Sequence, residues 1–116
     1  MAIDLGTRAM REDFKQEDQE GLVQSLIQGF AERINNLFHE VEIKNMAVVC
    51  NPEGELVGKW GTGNMHTMTH QSVLLGIPAM QLEFPRSLRS LMIREPRYME
   101  GLARCILSTY EDIIVP

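Results

Sequence analysis

Three groups of residues carry side chains able to do chemistry. The first is Glu83, which ends an alternating segment, residues 77–85, where Met80, Leu82 and Phe84 interleave with Ala79, Gln81 and Glu83. Alternation at period two predicts a buried strand with one apolar side and one side bearing a small residue, an amide and a carboxylate. A surface strand would scatter charges along its polar side, so a single acid predicts a cleft. Glu83 is placed at the carboxyl end, where ligands collect in open α/β sheets. Pro85, with no N–H to donate, ends the ladder, and residues 86–92 predict a short helix. Its first turn carries the second group, Arg86 and Arg89, three apart and on one side.

The third group lies in a loop, residues 58–70, with Gly58, Gly61, Gly63, Trp60, Thr62, His66 and His70. As a phosphate cradle it lacks the Lys-Ser or Lys-Thr of a P-loop, because Trp60 follows Lys59. His66 and His70, four apart, would share a helical face as zinc-binding histidines do, but Thr67 stands where the catalytic Glu would be. Two histidines alone also leave zinc short of a ligand. As a substrate loop, its glycines would let it close while Thr62, His66 and His70 line a polar pocket. The plain alternative is a surface loop without chemistry.

The elements that must position these residues follow from periodicity. Residues 3–7, Ile-Asp-Leu-Gly-Thr, predict a strand end turning at Gly6, with no room for an earlier βα unit. Residues 8–17, charged and with no apolar period beyond Phe14, predict a solvated loop leading to a cap at Asp18. Residues 19–40 predict a long helix, with Leu22, Val23, Leu26, Ile27, Phe30, Ile34, Leu37 and Phe38 in one stripe facing a sheet. Glu20 suits its dipole, Gly29 marks close packing or a slight bend, and His39 either binds the last carbonyls or lies exposed.

Residues 43–50 predict a central strand covered on both faces, followed by a turn at Asn51-Pro52-Glu53-Gly54 and a brief strand at Leu56-Val57. Residues 96–112 predict a helix with Pro96 at its first position, burying Met99, Leu102, Ala103, Ile106 and Tyr110. Gly101 permits close approach of another backbone there. Ile113-Ile114-Val115 forms a short edge strand or a docking tail, which raises the expectation of a homo-oligomer or a partner subunit. The fold class is therefore α/β: one domain over residues 1–116, with a small mixed sheet of three or four strands in a two- or three-layer arrangement. The helices over 19–40 and 96–112 pack on that sheet.

The totals bound the function. At 116 residues there is length for about one core. A net charge of -5, with 16 acids against 11 bases, argues against nucleic-acid binding through phosphates, and no basic face suits a membrane surface. Cys50 and Cys105 sit far apart in apolar runs and predict buried free thiols in a reducing, cytoplasmic setting. The acidic N-terminus carries no signal peptide, and no apolar run approaches the ~18 residues of a membrane span. Eight methionines suit gap-filling in an irregular core.

Taken in order, residues 3–7, the amphipathic helix, the Asn51-Pro52 turn, the glycine loop, and above all Gly76-Ile77-Pro78-Ala79-Met80-Gln81-Leu82-Glu83 before an arginine-bearing helix, resemble the C-terminal half of the N-formylglutamate amidohydrolase family. The likeness covers nearly the whole chain. It implies a zinc-dependent hydrolase of carboxypeptidase-like α/β fold that cleaves the amide of an N-formyl or N-acyl acidic amino acid. By that resemblance Glu83 would be the general base acting on zinc-bound water. Arg86 or Arg89 would grip a substrate carboxylate in a bidentate fork, with Gln81, Thr62, His66 and His70 as substrate contacts. The family's zinc ligands come from earlier motifs, so the isolated chain is expected to hold no metal and to be incomplete or inactive. It would then be a subunit or piece of a longer enzyme, or a relic that binds without hydrolysing, or a protein whose His66 and His70 make a new metal site. Outside the resemblance, Glu83 is equally a carboxylate salt-bridged to Arg86 or Arg89, and the chain a non-catalytic α/β binding or assembly module.

Overall fold

The computed structural model describes residues 1–14, 21–52 and 68–115. A three-stranded sheet sits at the centre, in the order β4-β1-β5, where β1 is Ala2–Gly6, β4 is Val49–Asn51 and β5 is Gln81–Glu83. β4 runs parallel to β1 and β5 antiparallel, so the sheet is mixed. A separate hairpin joins β2 (Glu42–Ile43) to β3 (Met46–Ala47). The α/β class predicted from the pattern is the class observed.

The strand predicted as one central run over residues 43–50 is instead broken. Lys44 and Asn45 both take positive φ, 53° and 62°. That is the geometry of a two-residue hairpin turn whose twist matches its strands. Only Val49–Asn51 joins the main sheet, and as an edge, with Met46 and Val49 more than half exposed. The outer edge of β4 is closed by α2, since Asn35 Oδ1 accepts a hydrogen bond from the Cys50 backbone N–H at 2.7 Å. β1 is the central strand, and Ile3 and Leu5 are fully buried.

Residues 8–17 also depart from expectation, because α1 occupies Arg8–Asp13. Six residues are too few for a helical period to stand out. Yet Ala9 and Met10 are fully buried, and an i,i+4 pair, Arg8 Nε to Glu12 Oε1 at 2.8 Å, lies on the outer side. The cap at Asp18, Glu20, the Glu53-Gly54 end of the turn, the Leu56-Val57 strand and the loop through Thr67 lie outside the described residues.

α2, Leu22–Phe38, follows its predicted stripe, with Leu26, Ile27, Phe30, Ala31, Ile34 and Phe38 buried. His39 Nδ1 hydrogen-bonds the Asn36 carbonyl at 2.8 Å, one of the unsatisfied groups at a helix end. α3 is Met68–Leu74, α4 is Arg86–Arg94 and α5 is Pro96–Thr109, with Pro96 in its first turn as predicted. Leu88 and Met92 of α4 turn into the core.

α5 packs chiefly on α2 and α4, and of its predicted buried residues Leu102 alone packs, half-buried, against the core. Cys105 and Thr109 are its buried residues, and Tyr98 stacks on Phe38 with ring centroids 5.6 Å apart. Met99, Ala103, Ile106 and Tyr110 face outward. Gly101 decides the choice, because a Cβ there would collide with Leu37 Cδ1. Gly29 does the same for the chain end, where a Cβ would lie 2.5 Å from Ile113 Cδ1. Residues 113–115 form no strand. Tyr110–Ile114 make a π-helical turn that folds Ile113 onto α2, held by Arg33 Nη2 to Asp112 Oδ2 at 2.8 Å.

The apolar side of the sheet, α2, α4 and α5 close one contiguous core. Ile34 is 0% exposed at its centre. We therefore expect Ile34→Ala to cost about 2–5 kcal/mol of stability, read as a lower urea midpoint with an unchanged slope.

Candidate functional site

The pleat of β1 sorts the sheet into two sides. Ile3 is in register with Cys50, and Leu5 with Leu82, and these four side chains point to the core. Asp4 lies between them and faces the other way, in register with Asn51 on β4 and Glu83 on β5. An amide and two carboxylates thus form a row across all three strands. Gly6 pairs with Gln81 one step along, adding a second amide beside a residue with no side chain.

This row borders an open hollow of about 270 Å³, lined by Asp4, Gly6, Gln81, Leu82 and Glu83. Its volume suits a ligand near the small end of ordinary pockets. The predicted cleft beside Glu83 and Gln81 is therefore present, and the burial of β5 alternates as expected, with Leu82 inward and both neighbours exposed. Its position differs. Because β5 runs antiparallel, Glu83 stands opposite the middle of β1, while the carboxyl ends of the parallel pair β1 and β4 lie toward Gln81.

Asp4 was not singled out from the sequence. The signal was available, since one acid between two core residues on a strand has only the opposite face to occupy. Asp4 also acts across the sheet. Burial, and secondarily the Asp4 charge, push the Cys50 thiol up to about 11. Cys105 is likewise raised, by burial more than the opposing Arg33 charge lowers it. Both thiols are free and buried.

Arg86 and Arg89 are exposed on the outer side of α4, and neither lines the hollow. Pro85 caps this helix and accepts a hydrogen bond from the Arg89 N–H at 3.0 Å, which turns the chain away from the strand as soon as β5 ends. Among the described residues no ion pair joins Glu83 to either arginine.

His70 belongs to a different cluster. It is buried on α3, and its Nε2 lies 2.9 Å from Asp13 Oδ2 on α1. Nearby, at the carboxyl end of β1, buried Thr7 donates its hydroxyl to the Pro52 carbonyl at 3.3 Å, and Arg11 donates to the same oxygen at 2.7 Å. The crevice expected at the strand ends is thus bound up by the chain's own polar contacts. Thr62 and His66 lie outside the described residues.

Comparison of the chain with protein-family models, with curated proteins and with solved structures finds no match.

Zinc, which the resemblance implies, needs more ligands than this geometry supplies. Catalytic zinc takes three protein ligands and a water. The hollow offers two carboxylates and amide oxygens, His70 is engaged with Asp13, and no group of three or more His, Cys, Asp or Glu able to hold a metal occurs among the described residues. The described residues do not fit the ion.

Three measurements test the electrostatics of these buried groups. Asp13→Ala should leave the buried His70 imidazole without this acceptor and cost about 1–3 kcal/mol in urea unfolding. An unfolded Cys50 thiol ionises near 9.0 and the folded one near 11, so the folded state keeps its proton longer. The stability due to Cys50 is present below pH 9 and is lost as pH rises toward 11. Correspondingly, an aromatic disulfide reagent at pH 8 should label both cysteines only after unfolding.

Proposed function

We propose that this chain is amidohydrolase-like, carrying the proton-transfer and substrate-contact part of a site for the amide of an N-formyl or N-acyl acidic amino acid. The carboxypeptidase-like fold belongs to the same reading. One observation carries it: Glu83 and Asp4 stand side by side on the outer face of the sheet, at the edge of a hollow that also reaches Gln81. Like charges directly opposite in a strand pair destabilise the pair. Such a row is the kind of local cost that sites for ligands carry.

In this reading Glu83, the more exposed of the two acids, accepts a proton from water at the hollow, and Gln81 hydrogen-bonds the acyl group. The acidic end of the substrate is excluded from the hollow by the two carboxylates. It lies toward Arg86 and Arg89, which share a side of α4 and can offer a fork to a carboxylate.

The test is release of glutamate from N-formyl- and N-acetyl-glutamate by the purified chain, with and without added zinc. Glu83→Gln should lower turnover by about 10²–10⁴-fold, the scale of a lost general base, with the fold unchanged by circular dichroism. Turnover that survives this substitution removes the reading, and so does a chain that neither hydrolyses nor binds either compound under either condition.

A second reading, a non-catalytic α/β binding or assembly module, is favoured by a separate observation. The outer face of α5 exposes Met99, Ile106, Leu107 and Tyr110, each at least half accessible. Exposed apolar faces of this kind mark contact surfaces.

A further inference from the structure

The two edges of the central sheet are finished differently. The Val49 N–H donates to the Met1 carbonyl at 2.9 Å, so alternate residues of β1, Ile3 and Leu5 included, turn their main-chain groups toward β4. Asp4 and Gly6 turn theirs toward β5. Asp4 with Glu83 and Gly6 with Gln81 are therefore the hydrogen-bonded pairs of the antiparallel ladder. The same alternation points the N–H and C=O of Cys50 and of Leu82 away from the sheet, on opposite edges. Asn35 Oδ1 takes the Cys50 N–H at 2.7 Å. Leu82 has no such cover: among the described residues neither its N–H nor its C=O makes a hydrogen bond. Leu82 also borders the hollow of about 270 Å³ although its side chain packs against the core, so what it presents there is main chain.

We propose that this free edge of β5 accepts a short extended segment of another protein, apolar opposite Leu82 and basic beside Glu83. The backbone selects an extended chain, because an open strand edge offers donors and acceptors at the spacing of a further strand. In such a strand the residue opposite Leu82 exchanges both main-chain hydrogen bonds with it and places its side chain on the Leu82 side of the sheet. The residues before and after it fall on the polar side, beside the exposed Gln81 and Glu83.

Charge then selects those flanking residues. Asp4 and Glu83 are directly opposite each other, and among the described residues no cation pairs with either. A lysine or arginine laid over the row relieves a like-charge pair, whereas a carboxylate would add a third negative charge. A second copy of this chain does not meet the requirement. β5 against β5, antiparallel about Leu82, would gather the carboxylates of Asp4 and Glu83 from both copies on one face. Pro78 and Pro85 bracket the strand, which keeps the edge short and limits the added segment to a few residues. The inference goes beyond the hydrolytic reading and does not rest on it, since it needs the Leu82 main chain and no proton transfer by Glu83.

Titration of the isotope-labelled full chain with the blocked peptide Thr-Lys-Val-Lys-Thr, followed by amide NMR, tests the inference. The Leu82 amide should shift saturably and exchange its hydrogen more slowly with peptide bound. Replacing both peptide lysines by glutamate should weaken binding by more than about tenfold. Methylating the central valine nitrogen, which removes its donor, should weaken it by about fivefold. Glu83→Gln, at an exposed position, should weaken it by about threefold with circular dichroism unchanged. Absence of a saturable shift at Leu82 overturns the proposal, as does equal binding of the glutamate peptide or indifference to the methylated nitrogen. A Leu82 amide already protected in the chain alone overturns it too, because the edge is then taken by the chain itself or by a second copy.

Discussion

The alternation of side chains along β1 is the constraint on which the rest of this structure depends. β1 is paired on both edges, so its sidedness passes to its neighbours. Burying Ile3 and Leu5 forces Cys50 and Leu82 to the same side and pushes Asp4, Asn51 and Glu83 to the other. A slip of one residue in β5 would put Glu83 in the core and Leu82 in the hollow. The polar row is therefore held in place by apolar burial on the far side of the sheet, with no ion pair between Glu83 and the arginines of α4.

The second organising element is α2, which covers β4, accepts α5 and the C-terminal turn, and closes the edge of the sheet through Asn35. Two glycines set how closely its partners approach. Gly101 admits Leu37, and Gly29 admits Ile113. Since α5 must present Gly101 to α2, its rotation about its own axis is settled, and Met99, Ala103, Ile106 and Tyr110 are turned outward together. The apolar face left uncovered follows from the packing that forms the core. The acidic hollow on the sheet and the apolar stripe on α5 are distinct surfaces with different chemistry.

Much of the fold was legible in the residues. The α2 stripe, the α/β class, the strand at Gln81–Glu83, Pro85 ending it and the close packing at Gly29 and Gly101 all follow from local pattern. The hollow beside Glu83 was legible too, from one acid on an otherwise apolar alternation. What escaped was of two kinds. Short elements such as α1 and the Lys44-Asn45 hairpin carry too few residues to show a period, and the hairpin lacks the usual glycine. Partnerships across the chain were equally hidden: Asp13 with His70, Arg33 with Asp112, and Asp4 with Glu83.

By itself, then, the sequence determined which side of each strand and of the longest helix is apolar, because side-chain periodicity is a local property of the backbone. Only the tertiary structure decided that β5 runs antiparallel, that Glu83 therefore meets Asp4 rather than an arginine, and which of two apolar faces α5 buries. Those outcomes depend on which surfaces fit at contact distance, and that is a relation between segments far apart in the chain.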